Sequence, residues 1–163
     1  MEEINKTIIF AAGCFWGVQY YFDQVPGVVE TEVGYIGGKT DNPSYEAICY
    51  ENTGHAEAVK IKYDPSIVSL DSLLIQFFRM HDPTQLNRQG PDVGTQYRSA
   101  TFPTSTEQEE EIKAFIQNCS SLSSSNIVTT IELGYKFWKA EDYHQKYTEK
   151  TGRGMCHIPY QAT

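Results

Sequence analysis

Residues 7–12 constrain the fold more than any other part of this 163-residue chain. Their sequence, Thr-Ile-Ile-Phe-Ala-Ala, is apolar on both alternating faces, which is typical of a central strand that is covered on each side. Beyond Gly13 and Cys14 the apolar residues recur at helical spacing until Pro26-Gly27: Val18, Tyr21, Phe22 and Val25. The sequence therefore predicts a strand-to-helix turn that places Cys14 at a helix N-terminus.

Strand and helix patterns continue to alternate along the chain. The periodicity predicts further strands at 28–33, 55–63, 99–102 and 127–133, and helices with apolar stripes over 70–78, 112–119 and, as a short last helix, 140–148. The cap-like residues Thr104-Ser105-Thr106 predict the start of the helix that carries the 112–119 stripe. Residues 34–44 and 82–98 are predicted loops. This order predicts an α/β fold: an α+β two-layer sandwich with a mixed central sheet flanked by helices, a ferredoxin-like core and an irregular C-terminal tail. We expect residues 1–163 to form a single domain.

The charge balance excludes some partners. Thirteen Lys and Arg against twenty-one Asp and Glu leave a net charge of −8, which repels nucleic acid and anionic membrane surfaces. The N-terminus has no basic leader, and no apolar run is long enough to cross a bilayer. We therefore expect a cytoplasmic monomer that binds neither nucleic acid nor membranes.

Four cysteines, Cys14, Cys49, Cys119 and Cys156, are widely spaced, and no Cys-x-x-Cys pair is present. This spacing does not match zinc or thioredoxin-type motifs. Four cysteines are also too few to form a disulfide scaffold in a chain of this size. Reduced or transiently paired thiols are expected, and Cys119 falls on the apolar stripe of its helix, as a core residue would.

Cys14 is the first candidate for chemistry. A thiolate in the first turn of a helix is stabilised by backbone N–H groups and by the positive end of the helix dipole, so its pKa should fall. The alternative is a small core residue, which is the commoner role of cysteine. The flanking Gly13 and Gly17, which let backbone and substrate approach closely, favour the reactive thiol.

Glu57 is the second candidate. Residues 55–63 alternate, and Glu57 shares a face with Val59, Ile61 and Tyr63. Burial on that face would raise the pKa of the carboxyl group, which could then donate a proton near pH 7. The alternatives are an edge position that reaches water and a structural ion pair.

Other polar groups fall outside the predicted core. A loop tyrosine can hydrogen-bond a ligand oxygen or simply face solvent, and this applies to Tyr35, Tyr45, Tyr50 and Tyr97. Asp92 and His55 have capping or solvent contact as their default roles. Cys156 lies in a glycine-bearing tail, where it is either a mobile thiol that resolves an oxidised cysteine or an inert surface thiol.

The pentapeptide Gly13-Cys14-Phe15-Trp16-Gly17 resembles the signature of the A-type peptide methionine sulfoxide reductases. Further segments resemble blocks of that family in the same order: Gly34-Tyr35-Ile36-Gly37-Gly38, Asn42-Pro43-Ser44-Tyr45, Gly54-His55-Ala56-Glu57-Ala58-Val59, His81-Asp82-Pro83-Thr84 and Asp92-Val93-Gly94-Thr95-Gln96-Tyr97-Arg98-Ser99. The resemblance extends over residues 8–147, and the combination of segments is highly specific.

The resemblance implies a thiol-dependent reductase, without metal or other cofactor, that repairs methionine S-sulfoxide, free or in proteins, with thioredoxin as reductant. It implies that Cys14 is the nucleophile and Glu57 the acid. Phe15 and Trp16 match the wall for the substrate methyl group, and Tyr45, Asp92 and Tyr97 match the groups around the sulfoxide oxygen. The oxidised Cys14 would be resolved as a disulfide. Position favours Cys156 as the resolving thiol, and Cys49, which occurs in some members, is the alternative.

These residue types suit that chemistry. Sulfoxide sulfur becomes electrophilic only when its oxygen can take up charge, so attack by a thiolate needs an acid or hydrogen-bond donors at that oxygen. An aromatic wall opposite tyrosine hydroxyls and a carboxyl would distinguish the methyl group from the oxygen.

The sequence has features of two other classes of function. A cysteine hydrolase could pair Cys14 with His144 and Asp142, but the Cys-Gly-Ser/Ala-Cys-Trp segment of papain-like proteases is absent, and His144 is expected on the solvated face of a polar helix. An aromatic-rich binding module would hold a ligand without consuming thiols. Counting thiols before and after exposure to methionine sulfoxide separates the three functions.

Overall fold

In the computed structural model, which describes residues 5–119 and 126–153, the apolar run forms strand β1 (Lys6–Ala12) inside a six-stranded sheet. The other strands of this sheet are β2 (Val28–Ile36), β3 (Ala56–Tyr63), β6 (Ser99–Phe102), β7 (Thr130–Ile131) and β8 (Trp138–Lys139). Their order across the sheet is β7-β6-β1-β3-β2-β8. Neighbouring strands are antiparallel except for the parallel pair β6–β7, so the sheet is mixed, as predicted.

Five α-helices lie among the described residues: α1 (Phe15–Asp23), α2 (Tyr45–Tyr50), α3 (Leu70–Met80), α4 (Thr106–Asn118) and α5 (Tyr147–Thr151). The succession β1-α1-β2-β3-α3-β6, with the strand order β6-β1-β3-β2, is a ferredoxin-like core and confirms that prediction. A separate two-stranded hairpin is formed by β4 (Arg88–Gln89) and β5 (Asp92–Val93).

The two faces of the sheet have unequal cores. On one face, Phe10 stacks on Phe77 of α3 at 4.6 Å and contacts Phe22 of α1 at 5.6 Å, so the central strand is packed directly against both helices. Each fully buried ring of this kind contributes roughly 1.5–3 kcal/mol to folding. The opposite face carries a smaller cluster, mostly short side chains, against which Phe137 packs: Ile9, Ala11, Ile36, Ala56, Ala58, Ala100 and Phe102.

The predicted start of α4 is confirmed by its cap. The Ser105 hydroxyl accepts a hydrogen bond from the N–H of Gln108, which satisfies one of the unpaired amides at the helix start. Cys119 follows the last turn and packs, half-buried, against the core, as predicted from its stripe.

The predicted loop 34–44 is wrong at its start, because β2 continues to Ile36. Edge strand β8, which pairs with this part of β2, was not predicted. Gly34 explains the pairing: a Cβ at this position would lie 2.3 Å from the backbone oxygen of Trp138 and 2.4 Å from the Phe137 ring. Only glycine lets β8 approach so closely.

Other boundaries also differ from the predictions. The predicted strand 127–133 contains only the two residues of β7, and helix α2 was not predicted. The predicted loop 82–98 contains the β4–β5 hairpin and a 3-10 turn at Thr95–Tyr97. The predicted helix 140–148 is a 3-10 turn, Asp142–His144, followed by α5. The two are separated by Lys146, whose φ of 58° is left-handed, so no single helix can form.

Residues 120–125 and the tail that contains Cys156 lie outside the described residues, so the structure does not test the predicted irregular tail or the resolving role predicted for Cys156. No helix within 5–119 or 126–153 is long and apolar enough to cross a membrane.

Candidate active site

Cys14 occupies the turn between the central strand and the first helix. Gly13, at φ 93°, ends the extended strand in a conformation that L side chains rarely adopt, and Cys14 is the N-cap residue of α1. The carbonyl oxygen of Cys14 accepts the first helical bond from Val18 N–H at 3.5 Å. Cys14 is 7% exposed. The predicted placement of this thiol at a helix N-terminus is confirmed.

Glu57 lies beside the same helix start. It is on β3, between β1 and β2, so the edge-strand alternative is wrong, and the side chain is 1% exposed. Its Oε1 accepts a hydrogen bond from Phe15 N–H at 3.3 Å. Phe15 is the first residue of α1, so the carboxyl group is bonded to the backbone of the residue that follows Cys14. One thiol and one buried carboxyl group are thus adjacent at the helix N-terminus.

Aromatic rings surround this pair. Phe15 is buried and Trp16 half-buried, and Tyr45 stacks against both, with ring centroids 6.5 Å and 6.4 Å away. Tyr147 also stacks on Trp16, with ring centroids 3.9 Å apart. The indole therefore contacts two tyrosine rings, a geometry that favours a rigid apolar wall.

Two tyrosine hydroxyls lie within electrostatic range of Glu57. Burial, and then the negative charge of Glu57, raise the pKa of Tyr45 and of Tyr97 far above the ordinary value. Asp92, on β5, and Cys14 raise the pKa of Tyr97 further. Both phenols therefore stay protonated at neutral pH and can donate hydrogen bonds. The structure thus brings together all the described residues for which a site role was expected: Cys14, Phe15, Trp16, Tyr45, Glu57, Asp92 and Tyr97.

Cys49 lies one helical turn after Tyr45 on α2, and the two side chains share a hydrogen bond. Burial raises the pKa of the Cys49 thiol; the bond with Tyr45 acts in the opposite direction, and the charge of Glu57 raises the pKa again. Cys49 is therefore a protonated thiol at neutral pH, which is a weak nucleophile.

Glu141 is a site residue that the sequence analysis missed. Its Oε1 accepts from the Tyr35 hydroxyl at 2.9 Å, and its Oε2 accepts from Tyr45 N–H at 3.0 Å. Burial alone would raise the pKa of Glu141, but the Tyr45 N–H, its own N–H and the Tyr35 hydroxyl together lower that pKa. This carboxylate ties α2 to β2. Tyr35, predicted in a loop, is a fully buried residue of β2 directly opposite Glu57.

His144 was expected on a solvated surface, and this is wrong: it is fully buried. Its Nδ1 accepts from the Trp16 indole N–H at 2.8 Å. Because an indole nitrogen can only donate, the neutral imidazole must carry its proton on Nε2. The acceptor nitrogen is engaged by Trp16, so His144 orients the indole and is not available as a base for Cys14. The hydrolase alternative therefore loses its base.

Side-chain hydrogen bonds hold the segment that carries Glu141 and His144 against α1 and β2. The Gln145 side-chain amide accepts from Val33 N–H and donates to Val33 O, both at 3.0 Å, and so imitates a strand partner of β2. Lys146 N–H donates to Gln19 Oε1 at 2.7 Å, and its Nζ lies 2.8 Å from both Asp23 oxygens. These bonds hold Glu141 and His144 against α1 and β2.

Of the two default roles expected for His55, solvent contact is wrong, because the side chain is buried. Its Nδ1 accepts from Gly38 N–H at 3.1 Å, and its Nε2 lies 2.7 Å from Thr40 O. His55 thus fixes the loop between β2 and α2. Over the ranges that the structure describes, no group of three or more His, Cys, Asp or Glu side chains is arranged to hold a metal ion.

Comparisons with known proteins agree on one family. The family model for peptide methionine sulfoxide reductase matches residues 6–163. A peptide methionine sulfoxide reductase MsrA from Methanoculleus marisnigri is 52% identical over 95% of this chain and 96% of its own.

Two solved structures of Mxr1 from Saccharomyces cerevisiae are similar as well. The reduced form has a TM-score of 0.83 at 38% identity, over 92% of this chain and 87% of that chain. A complex of Mxr1 with Trx2 has a TM-score of 0.62 at 26% identity, over 88% and 84%.

The buried His144 predicts a specific pH dependence of stability. Burial lowers the pKa of His144, although Glu141 acts in the opposite direction, whereas an unfolded imidazole titrates at about 6.5. Below that pH the unfolded chain binds a proton that the folded chain does not bind, so the stabilisation is complete above about pH 6.5 and is lost as the pH falls. We expect the wild type to lose up to about 1.4 kcal/mol per pH unit relative to His144→Gln.

Urea unfolding of both proteins at pH 7.5 and pH 5.5 measures this difference. The variant keeps all other histidines, so their titration cancels. Parallel loss of stability in the two proteins would contradict a neutral, buried His144.

Proposed function

The chain belongs to the peptide methionine sulfoxide reductase family, and on this premise we propose that it reduces methionine S-sulfoxide, free or in proteins, to methionine through the thiolate of Cys14. The observation that carries the proposal is the hydrogen bond from Phe15 N–H to Glu57 Oε1. It places a buried acid beside a thiol at a helix N-terminus, which are the two groups that the reaction requires.

In the first step the Cys14 thiolate attacks the sulfoxide sulfur. The helix N-terminus stabilises the thiolate, and Glu57, in its protonated form, transfers a proton to the sulfoxide oxygen as the S–O bond weakens. The hydroxyls of Tyr45 and Tyr97, held protonated, donate hydrogen bonds to the same oxygen, with Asp92 nearby. The S–S bond formed by this attack and the S–O bond of the methionine then break as the hydroxyl group passes to the sulfur of Cys14. Methionine leaves as a thioether, Cys14 is left as a sulfenic acid and Glu57 as a carboxylate.

Selection of the S epimer follows from an asymmetric site. The apolar wall of Phe15 and Trp16 receives the substrate methyl group, while the hydroxyls and carboxyl groups receive the oxygen. The His144 bond to the indole nitrogen keeps this wall in one orientation. An R epimer would direct its oxygen at the wall or its methyl group at the polar groups.

The second step returns the enzyme to its reduced state. The thiol of Cys156 attacks the sulfenic sulfur of Cys14, a disulfide forms and water leaves; the two thiols of thioredoxin then reduce the disulfide and become a disulfide themselves. Cys49 is the alternative resolving thiol, and its raised pKa lowers the fraction of its thiolate at neutral pH. The similarity to an Mxr1 that is solved in complex with Trx2 supports thioredoxin as the reductant.

We also propose a cellular role for this chain. A monomeric single-domain enzyme of this kind, which uses no metal or organic cofactor, would repair oxidised methionine in the cytoplasm, where thiols are kept reduced.

Replacement of the nucleophile tests the function directly. We expect Cys14→Ser to abolish methionine formation from methionine S-sulfoxide, because a serine hydroxyl is almost un-ionised at neutral pH. The matched control is Cys119→Ser, a cysteine of the α4 end, which should retain activity. Residual activity of Cys14→Ser above about 1% of the wild type would contradict the assignment.

A second prediction concerns the acid. Glu57→Gln keeps an oxygen that can accept from Phe15 N–H but has no proton of a carboxyl group to give. We expect the single-turnover rate of methionine formation to fall by roughly two to four orders of magnitude, the usual contribution of a positioned acid. Unchanged rates between pH 6 and pH 9 would assign Glu57 a structural role.

A third prediction separates the two resolving candidates. Cys156→Ser should lose nearly all thioredoxin-driven turnover but still form one equivalent of methionine per enzyme in a burst, because the chemical step uses only Cys14 and an acid. Cys49→Ser should keep that turnover. The opposite pair of results would transfer the resolving role to Cys49.

A further inference from the structure

Two strongly exposed tyrosines border the site. Tyr50 is 88% exposed and Tyr143 60%. Exposed apolar groups beside a pocket mark interaction surfaces, and tyrosine is common in such surfaces because its large ring loses little conformational freedom. We refer to Tyr50 and Tyr143 as the rim.

Chain position and two ring contacts place the rim beside the catalytic groups. Tyr50 follows Cys49 on α2, and the Cys49 thiol shares a hydrogen bond with Tyr45. The Tyr143 ring lies 4.0 Å from that of His144, which lies 4.4 Å from that of Tyr45. A polypeptide with its methionine sulfoxide at Cys14 would therefore lie across these side chains.

The charge around the rim has one sign. The α2 segment 45–51 and the segment 141–145 contain Glu46, Glu51, Glu141 and Asp142 but no Lys or Arg. Glu46, Glu51 and Asp142 are exposed. The two segments are neighbours, because both Glu141 and Glu46 raise the pKa of Tyr143, after burial itself. Tyrosine rings next to carboxylates favour Lys and Arg, whose cations bind ring faces and whose alkyl stems cover apolar surface.

We propose that the rim, with Glu46 and Asp142, binds the polypeptide on either side of the oxidised methionine and selects segments that carry Lys or Arg there. The inference rests on the proposed function and adds the class of protein substrate. Exposed ion pairs and cation–π contacts are individually weak, so two of them give roughly a five- to twentyfold preference in kcat/KM. Salt should reduce it, because these charges are exposed.

Matched peptides test the preference. Two peptides place Lys or Glu on both sides of a central methionine S-sulfoxide in an otherwise identical alanine-rich sequence, and dithiothreitol replaces thioredoxin as the reductant. The Lys peptide should have the higher kcat/KM at low salt, and the ratio should approach one at high salt. N-acetylmethionine S-sulfoxide, which has no flanking residues, reports the basal reaction.

Charge-removing variants locate the effect. The double variant Glu46→Gln/Asp142→Asn should lose most of the Lys-over-Glu preference and keep the wild-type kcat/KM on N-acetylmethionine sulfoxide. The control Glu107→Gln/Glu110→Gln removes the same charge from exposed positions of α4 and should keep the preference. Tyr50→Ser should lower kcat/KM for the Lys peptide while the basal reaction is unchanged.

Binding of the two peptides to the Cys14→Ser protein, measured by calorimetry, should show the same preference without turnover. A failure of the wild type to form methionine would then count against the proposed function, while the binding preference still tests the rim. Equal binding of the two peptides, or equal effects of the rim and α4 variants, would overturn the inference. A separate assay with thioredoxin as the reductant, in which the variants raise only the KM for thioredoxin, would also overturn the inference, because the rim would then be the contact surface of the reductant.

Discussion

The hydrogen bond from Phe15 N–H to Glu57 Oε1 joins two parts of the chain that are held by different forces. Phe15 begins a helix packed through Phe22 against the central strand, and Glu57 belongs to the neighbouring strand of the same sheet. Because both elements are fixed by the large core, their meeting point is fixed too. The carboxyl group is consequently held beside Cys14 without any side chain having to reach across solvent.

Burial keeps the phenols around Glu57 protonated. Their own burial, and then the charge that Glu57 carries when it is ionised, raise the pKa of Tyr45 and of Tyr97, so both stay donors. Glu141 has the reverse environment: three hydrogen-bond donors lower its pKa, and it acts as a fixed acceptor for Tyr35 and the α2 backbone. The buried Glu57, at the thiol, and the half-buried Glu141, at the backbone of Tyr45, therefore have different surroundings.

The C-terminal part of the described chain completes the site from outside the ferredoxin-like core. Gln145 imitates a strand partner of Val33, and Lys146 pairs with Asp23 and Gln19. Held in this way, His144 orients Trp16 and Glu141 orients Tyr45. The core supplies the thiol and the acid, while this later segment gives the aromatic wall its rigidity.

The sequence by itself determined those features that depend on residues close together in the chain. The strand, the glycine turn and the helix around Cys14 follow from neighbouring residues, as do the alternation that buries Glu57 and the Ser105 cap of α4. The family blocks likewise identified Tyr45, Asp92 and Tyr97. Only the tertiary structure decided the roles of Glu141 and His144, because a polar segment looks solvated until its partners are known. Their partners, Tyr35, Tyr45 and Trp16, are distant in sequence, and two-residue strands such as β8 are too short to show a period. Burial and hydrogen bonding between distant residues are properties of the folded chain, and no local pattern encodes them.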